Sequence, residues 1–400
     1  MSHHLISRNP ALGRLVQEGY ELELRPGLLL VHAVPYVNVD GQIRSGTLVS
    51  ELSMESPDIL GRPGSHQMHF IGDHPCFADG RIFTPVQHSS GDFALGNGVT
   101  AQHHFSHKRK DKNRNWIDYE DYYVKVKTYV DVISGQAKII DPSVDARTWK
   151  VITWGDDTTP FVYSDTASTR AGILAINERA SQMRVAIVGL GGTGGYVLDL
   201  LAPTHLPEIH LFDGDQLHQH NAFRAPGAVP AEALGRRLHK VDWYAEHYSN
   251  LRRGVVPHAE MIHEANVHEL SQFDYIFLCI DRGQARALIL DHLKSTSAVV
   301  IDCGMGMNVS REEQKLWGTI RTTVSTPANR DEATRLMPLV DREDDLYRSN
   351  VQIIELNALN AAMAVLRWKR LIGMFSDDCS ETEGTYNTAL NRVGNKPGLP

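Results

Sequence analysis

In the second half of the chain, from about residue 184, short apolar runs alternate with segments of helical periodicity. The apolar runs predict strands at 184–188, 208–212, 255–262, 274–279 and 298–301. The segments between them predict helices at 195–201, 231–248 and 284–293. Strands that alternate with helices are typical of a mostly parallel sheet covered on both faces. The pattern therefore predicts an α/β fold with a doubly wound sheet.

The pattern changes at both ends of this region. Residues 316–324 alternate between polar and apolar, as in an antiparallel strand, and a polar segment follows over 325–345. A long helix is then predicted at 349–372, and we interpret its apolar stripe as core packing.

The first 150 residues show no alternation of strands and helices. Short strands are predicted at 21–24, 27–31 and 46–49, between turns rich in Gly, Pro and Asp. Residues 122–130 fit a helix or a strand equally well. A chain of 400 residues exceeds what one core usually holds. We therefore expect a β-rich α+β accessory domain over 1–160 and the α/β domain over 170–400, joined by a linker at 154–169.

The most informative motif follows the first strand of the α/β region. Val185–Val188 leads into a loop with glycines at 189, 191, 192 and 194. Gly189, Gly191, Gly192 and Gly194 let backbone N–H groups and a helix N-terminus approach phosphate. Asp213, at the end of the second strand, suits a ribose hydroxyl. The loop and Asp213 predict a Rossmann-like nucleotide site, which fits NAD as well as ATP.

Further residues distinguish an NAD site from an ATP site. Asn221 and Arg224 follow Asp213, Lys240 comes next, and Asp281 ends a later strand. This order resembles the ThiF/MoeB adenylyltransferase superfamily, which includes the ubiquitin-activating enzymes. The resemblance covers about residues 184–324.

The resemblance implies a role for each of these residues. Asp213 would hold the ribose of ATP, and Asn221, Arg224 and Lys240 would contact its phosphates. Asp281 would coordinate Mg²⁺. Attack of a carboxylate on the α-phosphate concentrates negative charge, which cations and a metal ion must neutralise.

Family members are usually dimers in which an arginine just upstream of the first strand reaches the partner's site. Arg170 and Arg179 are the candidates in this chain. Neither lies in the family's usual Arg-x-x-Arg-Gln context, and the gap before Lys240 is longer than usual.

The chain departs from ubiquitin-activating enzymes in its cysteines. Those enzymes pass the adenylated C-terminus to a cysteine after the core strands, but residues 304–378 contain none. Cys379 lies among carboxylates, which disfavour the thiolate. Cys279 and Cys303 are interpreted as core residues. We therefore expect adenylation without an internal thioester.

The segment 66–83 is faintly similar to ubiquitin-conjugating enzymes, in which His-Pro-Asn and Gly-x-Ile precede the active cysteine. Here Gly80-Arg81-Ile82 places Phe83 at the cysteine position and Cys76 at the Asn position. The resemblance implies an inactive variant that binds a modifier. The alternative is a β-rich domain that docks some other partner.

Composition excludes several function classes. The formal net charge of −8 disfavours a nucleic-acid binder. Widely separated cysteines argue against a disulfide framework or a site of paired cysteines. No apolar stretch approaches the length of about 18 residues that spans a bilayer, and the N-terminus lacks a signal-peptide pattern. We expect a cytoplasmic protein with no membrane contact.

The leading hypothesis is ATP-dependent adenylation of the C-terminal carboxylate of a ubiquitin-like or sulfur-carrier protein, in a homodimer, with a separate conjugating enzyme as a further possible partner. An NAD-dependent oxidoreductase is the second hypothesis, and it leaves Asn221, Arg224 and Asp281 without a role. The third is a non-catalytic scaffold that binds modifier proteins.

Overall fold

Two units are distinguished by the density of contacts within the chain. Unit 1 comprises residues 1–158 and 163–174, and unit 2 comprises residues 159–162 and 175–400. The computed structural model describes residues 5–6, 8–56, 59–151, 159–163, 165–310, 312–340 and 352–397. Residues 154–158 of the predicted linker lie outside this described part.

Unit 1 is built on an antiparallel sheet of six strands in the order β1-β2-β3-β6-β8-β7. The strands are β1 (Leu22–Arg25), β2 (Leu28–Val37), β3 (Ile43–Glu51), β6 (Gln67–Ile71), β7 (Gln87–Gly96) and β8 (Val99–Ser106). Two short pairs accompany them, namely β4 (Met54–Ser56) with β5 (Ile59–Leu60) and β9 (Arg109–Lys110) with β10 (Trp116–Ile117). The helices are α1 (Pro10–Gln17), α2 (Tyr122–Ile140) and α3 (Thr166–Ala171). This is the expected β-rich α+β architecture.

The segment 122–130, which fitted a helix or a strand, is the first half of α2. The Asp121 side chain accepts a hydrogen bond from the N–H of Val124 and so caps the helix. The apolar face of α2, including Val126, Tyr129 and Ile133, is buried in the core of unit 1. The cap and this burial outweigh the strand preference of its Tyr and Val residues.

Unit 2 contains a sheet of eight strands in the order β13-β12-β11-β14-β15-β16-β17-β18. The strands are β11 (Val185–Val188), β12 (Ile209–Phe212), β13 (Val255–His258), β14 (Tyr275–Leu278), β15 (Val299–Ser310), β16 (Lys315–Ser325), β17 (Glu381–Asn387) and β18 (Arg392–Pro397). Pairing is parallel from β13 to β15 and antiparallel from β15 to β18. The sheet therefore confirms the predicted doubly wound, mostly parallel fold and extends it by an antiparallel edge.

Helices cover both faces of the parallel strands. They are α5 (Gly192–Leu201), α6 (Gln219–Ala222), α7 (Ala231–Gly235), α8 (Lys240–Tyr248), α9 (Gly283–His292), α10 (Arg330–Leu336) and α11 (Ile354–Leu371), whereas the short helix α4 (Leu174–Asn177) precedes β11 and has no buried residues. Val185 and Ile187 of β11 pack with α5, α8 and α11, whereas Ala186 and Val188 pack with α9 and α10. Burial of all four consecutive residues explains why β11 reads as a continuous apolar run. None of the described helices is long and apolar enough to cross a membrane.

The helix predicted at 231–248 is wrong in one respect, because it is interrupted between α7 and α8. Arg237 adopts a φ of 51°, which breaks the helix, and His239 forms a β-bridge with Gln216. As a result Lys240 is the first residue of α8.

A buried ion cluster holds the ends of β15 and β16 together. Asp302 is fully buried, and its two carboxylate oxygens accept hydrogen bonds from Arg286 at 2.7 Å and from Arg321 at 2.5 Å. Arg286 also donates to the carbonyl oxygens of Ile280 and Pro338, at 2.6 and 2.8 Å. This guanidinium therefore joins α9 to the loop that precedes it and to the segment that follows α10.

We predict that Asp302→Ala lowers the free energy of unfolding by about 3–5 kcal/mol, because it leaves the buried Arg286 and the partly exposed Arg321 without their carboxylate. Denaturant unfolding of the full chain measures the change. The exposed pair of Asp291 and Lys294 supplies the control, since Asp291→Asn should leave the unfolding midpoint where it is. A loss of less than about 1 kcal/mol in Asp302→Ala would contradict this account.

Candidate nucleotide-binding site

The glycine loop leaves β11 where the backbone is tightly enclosed. Gly189 has a φ of 90°, and its N–H donates to the carbonyl oxygen of Phe212 at 2.8 Å. A Cβ on Gly189 would lie 2.6 Å from the carbonyl oxygen of Cys279, and one on Gly194 would overlap the carbonyl oxygen of Gly189. These two positions require glycine because backbone approaches backbone.

Gly191 and Gly192 serve the loop differently. A Cβ on Gly191 would meet no atom within 4 Å, so this glycine faces open space. Gly191 is also the N-cap of α5 and provides no side-chain cap. The first N–H groups of α5 are therefore available to an anion approaching over Gly191. Gly192, in contrast, lies against the side chain of Asn357.

Asp213 connects the loop to the second strand, as its position predicts. Its side chain is buried, with Oδ2 accepting from the N–H of Leu190 at 2.6 Å and Oδ1 from the N–H of Asp215 at 2.8 Å. Asp213 therefore fixes the backbone of the glycine loop and of Asp215.

Lys240 is brought to this carboxylate by the start of α8. Its buried Nζ lies 3.4 Å from each oxygen of Asp213 and 2.6 Å from Oδ2 of Asp215. The two aspartates compensate for the desolvation of the ammonium group. The structure thus unites two of the predicted residues, Asp213 and Lys240, in one buried cluster.

Asn221 and Arg224 lie on and just after the short helix α6. Asn221 is buried, and its Oδ1 accepts from the N–H of His218 at 2.8 Å, which fixes the start of the helix. The Nε of Arg224 is buried and has no hydrogen-bond partner among the described residues. Such an unsatisfied cationic donor costs free energy unless a ligand completes it.

Arg224 and Lys240 act on the same neighbouring imidazole. Burial, followed by the positive charges of Arg224, His218 and Lys240, lowers the pKa of His220. Both cations therefore lie near His220, where the carboxylate of Asp215 offsets part of their effect.

Asp281 is exposed and lies in the loop between β14 and α9. Because β11, β12 and β14 are adjacent parallel strands, their carboxyl ends meet at one edge of the sheet. The glycine loop, Asp213 and Asp281 follow these ends. An exposed carboxylate is a suitable oxygen ligand for Mg²⁺.

Arg170 and Arg179, the two candidates for the arginine that reaches the partner's site, have different surroundings. Arg179 donates a hydrogen bond to the carbonyl oxygen of Gly373, just past the C-terminus of α11. Asn357, which contacts the glycine loop, lies in the first turn of the same helix. A helix rise of 1.5 Å per residue places Asn357 about 24 Å from Gly373. Arg179 is therefore held far from the glycine loop of its own chain. The backbone of Arg170 lies in α3, and its side chain is outside the described part of the structure.

Sequence reasoning missed Asn357. Its side chain is fully buried, Oδ1 accepts from Oγ1 of Thr193 at 3.0 Å, and Nδ2 has no partner among the described residues. This amide contacts the loop at Gly192 and Thr193. Position 192 is glycine because a Cβ there would overlap the Asn357 side chain. A polar residue on the apolar stripe of α11 was the available signal.

Raised pKa values make the thiols of Cys76 and Cys279 poor nucleophiles. A hydrogen bond with Cys303, together with burial, holds the pKa of Cys279 well above its ordinary value. Burial also raises the pKa of Cys76, whose Sγ donates to the carbonyl oxygen of His74. Cys303 is buried and Cys379 is exposed. Phe83, at the expected cysteine position, packs against Phe77 in the core of unit 1.

We predict opposite effects of alanine at two loop glycines. Gly194→Ala should lower the free energy of unfolding by about 3 kcal/mol, because its Cβ would overlap the Gly189 carbonyl. Gly191→Ala should leave it unchanged or raise it by about 0.4–1 kcal/mol, since Gly191 has an ordinary φ of −69° and open space around it. Thermal and denaturant unfolding distinguish the two. Equal destabilisation in both variants would contradict the described loop.

Two family models match separate parts of the chain. Residues 166–336 match the ThiF family, and residues 10–166 match a family described as a domain of unknown function, DUF6791. No curated protein sequence matches the chain. The ThiF match confirms the resemblance inferred from the motifs and supports an adenylyltransferase-type enzyme.

Solved structures with similarity to the chain include two of E. coli MccB. The structure with succinimide is 17% identical, covers 56% of this chain and 66% of its own, and has a TM-score of 0.44. Another MccB structure is 14% identical, covers 70% and 82%, and has a TM-score of 0.46. E. coli tRNA N6-threonylcarbamoyladenosine dehydratase, TcdA, is 14% identical, covers 52% and 92%, and has a TM-score of 0.38. On the family match, residues 166–336 of this chain are a ThiF family domain.

Proposed function

We propose that unit 2 binds ATP and Mg²⁺ and adenylates the C-terminal carboxylate of a ubiquitin-like or sulfur-carrier protein. The observation that carries the proposal is the pair of cations beside the glycine loop. Arg224 has a buried donor without a partner among the described residues, and both Arg224 and Lys240 lie near His220. Binding of a dinucleotide at the loop requires only the glycines and Asp213. The additional cations suit a triphosphate.

In the proposed reaction a carboxylate oxygen of the modifier attacks the α-phosphorus of ATP. A new O–P bond forms, the P–O bond to pyrophosphate breaks, and the products are an acyl-adenylate and pyrophosphate. Backbone N–H groups at Gly191, Gly192 and Gly194 and the start of α5 receive the phosphates. Asp213 orients the ribose, while Gly189 sets the turn.

The side chains supply the charge that this transition state needs. In this proposal Arg224 donates its Nε–H, which has no partner among the described residues, to a phosphate oxygen. The carbonyl oxygen of Asn221 accepts from the backbone N–H of Arg224 and keeps the two residues together. Lys240 has three N–H donors, so it can contact a phosphate while it stays paired with Asp213 and Asp215. Asp281 would hold Mg²⁺, which neutralises phosphate charge when bound.

The proposal includes no internal thioester. The buried thiols of Cys76 and Cys279 have raised pKa values, so their thiolates are disfavoured at neutral pH. The adenylate, or a thioester formed on a separate conjugating enzyme, would then be the outgoing species. In a homodimer, Arg170 is the favoured arginine donor, because Arg179 is bound to Gly373.

Unit 1 is proposed to bind the modifier or the conjugating enzyme without catalysis. The support is that Phe83 occupies the position expected for a cysteine and Cys76 is buried in its surroundings. Retained modifier binding by the full-length Asp281→Ala protein, with no ATP turnover, would be consistent with this division of roles.

The proposal predicts ATP–pyrophosphate exchange that depends on a modifier ending in Gly-Gly. Asp281→Ala and Arg224→Ala should each lower the exchange rate by about 100-fold or more, because each removes a group that stabilises developing charge. Arg236→Ala is the matched control, since Arg236 is an exposed arginine of the same unit that is paired with Glu246. Its exchange rate should equal that of the unaltered protein.

Exchange with the same modifiers lacking their terminal Gly-Gly serves as the substrate control. No exchange with any modifier, or exchange unaffected by Asp281→Ala, would overturn the proposed function.

A further inference from the structure

A second group of potential ligands lies at the end of β13, on the opposite face of the sheet from α5. His258, Glu260 and Glu269 each present one ligand atom, and these atoms all lie within 4.8 Å of one another. His258 is the last residue of β13, Glu260 lies two residues further on, and Glu269 belongs to the 3₁₀ turn at 267–272. None of the predicted site residues is among them.

The imidazole of His258 is held by a chain of polar contacts that prepares it as a ligand. Nε2 of His210 lies 3.1 Å from Oε2 of Glu208, and Nδ1 of His210 lies 3.0 Å from Nε2 of His258. The carboxylate of Glu208 can only accept, so Nε2 of His210 donates to it. When His210 is neutral, its Nδ1 accepts a hydrogen bond from the Nε2–H of His258. Nδ1 of His258 is then unprotonated and available to a metal ion.

Packing fixes the plane of the same ring. His258 stacks on Phe212, with ring centroids 4.1 Å apart and planes 6° from parallel. A metal ligand with a fixed tautomer and orientation loses little entropy on binding.

The two carboxylates lie close together without a compensating cation. Among the described residues no ion pair joins Glu260 or Glu269 to a lysine or arginine. Asn266 donates to Oε2 of Glu260 at 2.7 Å, which orients this carboxylate and leaves its other oxygen for a ligand. Nearby like charges of this kind are stabilised by a bound cation.

We propose that His258, Glu260 and Glu269 form a Zn²⁺ site whose fourth ligand is water. One imidazole nitrogen and two carboxylate oxygens match the mixed donors that zinc accepts, whereas Mg²⁺ and Ca²⁺ prefer oxygen ligands alone. Ligand atoms on one zinc ion lie about 3.3 Å apart. Binding of the ion would draw these ligand atoms together from separations of up to 4.8 Å. This site does not depend on the proposed adenylation.

The zinc site would also order residues 259–266, which border the proposed nucleotide site. Residues 259–266 contain neither helix nor strand, and a Cβ on Gly214 would lie 3.1 Å from the backbone nitrogen of Met261. Gly214 is next to Asp213, and the N–H of Asp213 donates to the carbonyl oxygen of His258. Zinc at His258 would therefore stiffen one wall of the site beside Asp213.

Titration calorimetry of the full, untagged chain with Zn²⁺, after treatment with a chelator, tests the proposal. We expect one binding event that is weakened at least tenfold in His258→Ala and in Glu269→Gln. His268→Ala and Glu264→Gln are the controls, because both residues are exposed in the same segment and lie outside the cluster. Both controls should bind as the unaltered protein does. Excess Mg²⁺ should not compete.

Co²⁺ provides a second readout through its visible absorption, which reports coordination directly and applies to any folded variant. Zn²⁺ should raise the thermal midpoint of the unaltered protein but not that of Glu269→Gln, a variant that nearly preserves side-chain volume. Equal Zn²⁺ stoichiometry and affinity in the unaltered protein, His258→Ala and Glu269→Gln would overturn the proposal. So would the absence of any binding by the unaltered protein.

Discussion

The buried carboxylate of Asp213 is the contact on which the nucleotide-binding region depends. It accepts a hydrogen bond from the N–H of Leu190 in the glycine loop and lies beside the ammonium group of Lys240 at the start of α8. One side chain thus joins the loop after β11, the end of β12 and the first turn of α8. Removing it would leave a buried lysine with one carboxylate and would detach the loop from the neighbouring strand. The position of the phosphate-binding N–H groups therefore follows from this ion pair as much as from the glycines.

The second support of the loop comes from the far end of the chain. Asn357, in the first turn of α11, contacts Gly192 and Thr193, although 164 residues separate it from Thr193. The antiparallel strands β15 and β16 are fixed in turn by Asp302 between Arg286 and Arg321. Arg286 follows Asp281 on α9, so the same guanidinium that satisfies Asp302 also holds the Ile280 carbonyl beside Asp281. Buried polar contacts thus connect the loops at the carboxyl ends of the parallel strands to α9, α11 and the antiparallel strands.

Local patterns were sufficient to predict the parallel strands, the glycine loop and the positions of Asp213 and Asp281 on one edge. Each of these follows from a short apolar run and the polar residue that ends it. Contacts between distant segments could not be predicted in this way. The break between α7 and α8 depends on the bridge from His239 to Gln216, and the helical state of residues 122–130 depends on burial against the sheet of unit 1. The same limit explains why Asn357 and the ring of His258 were missed, since their partners are far away in sequence or on another strand.

The central claim is that the cations beside the glycine loop select ATP over a dinucleotide. Titration of the full chain with ATP in the presence of Mg²⁺, and separately with NADH, tests it most directly. The account predicts saturable binding of ATP, weakened when Arg224 is replaced by alanine, and no saturable binding of NADH. Tight binding of NADH without binding of ATP would contradict it.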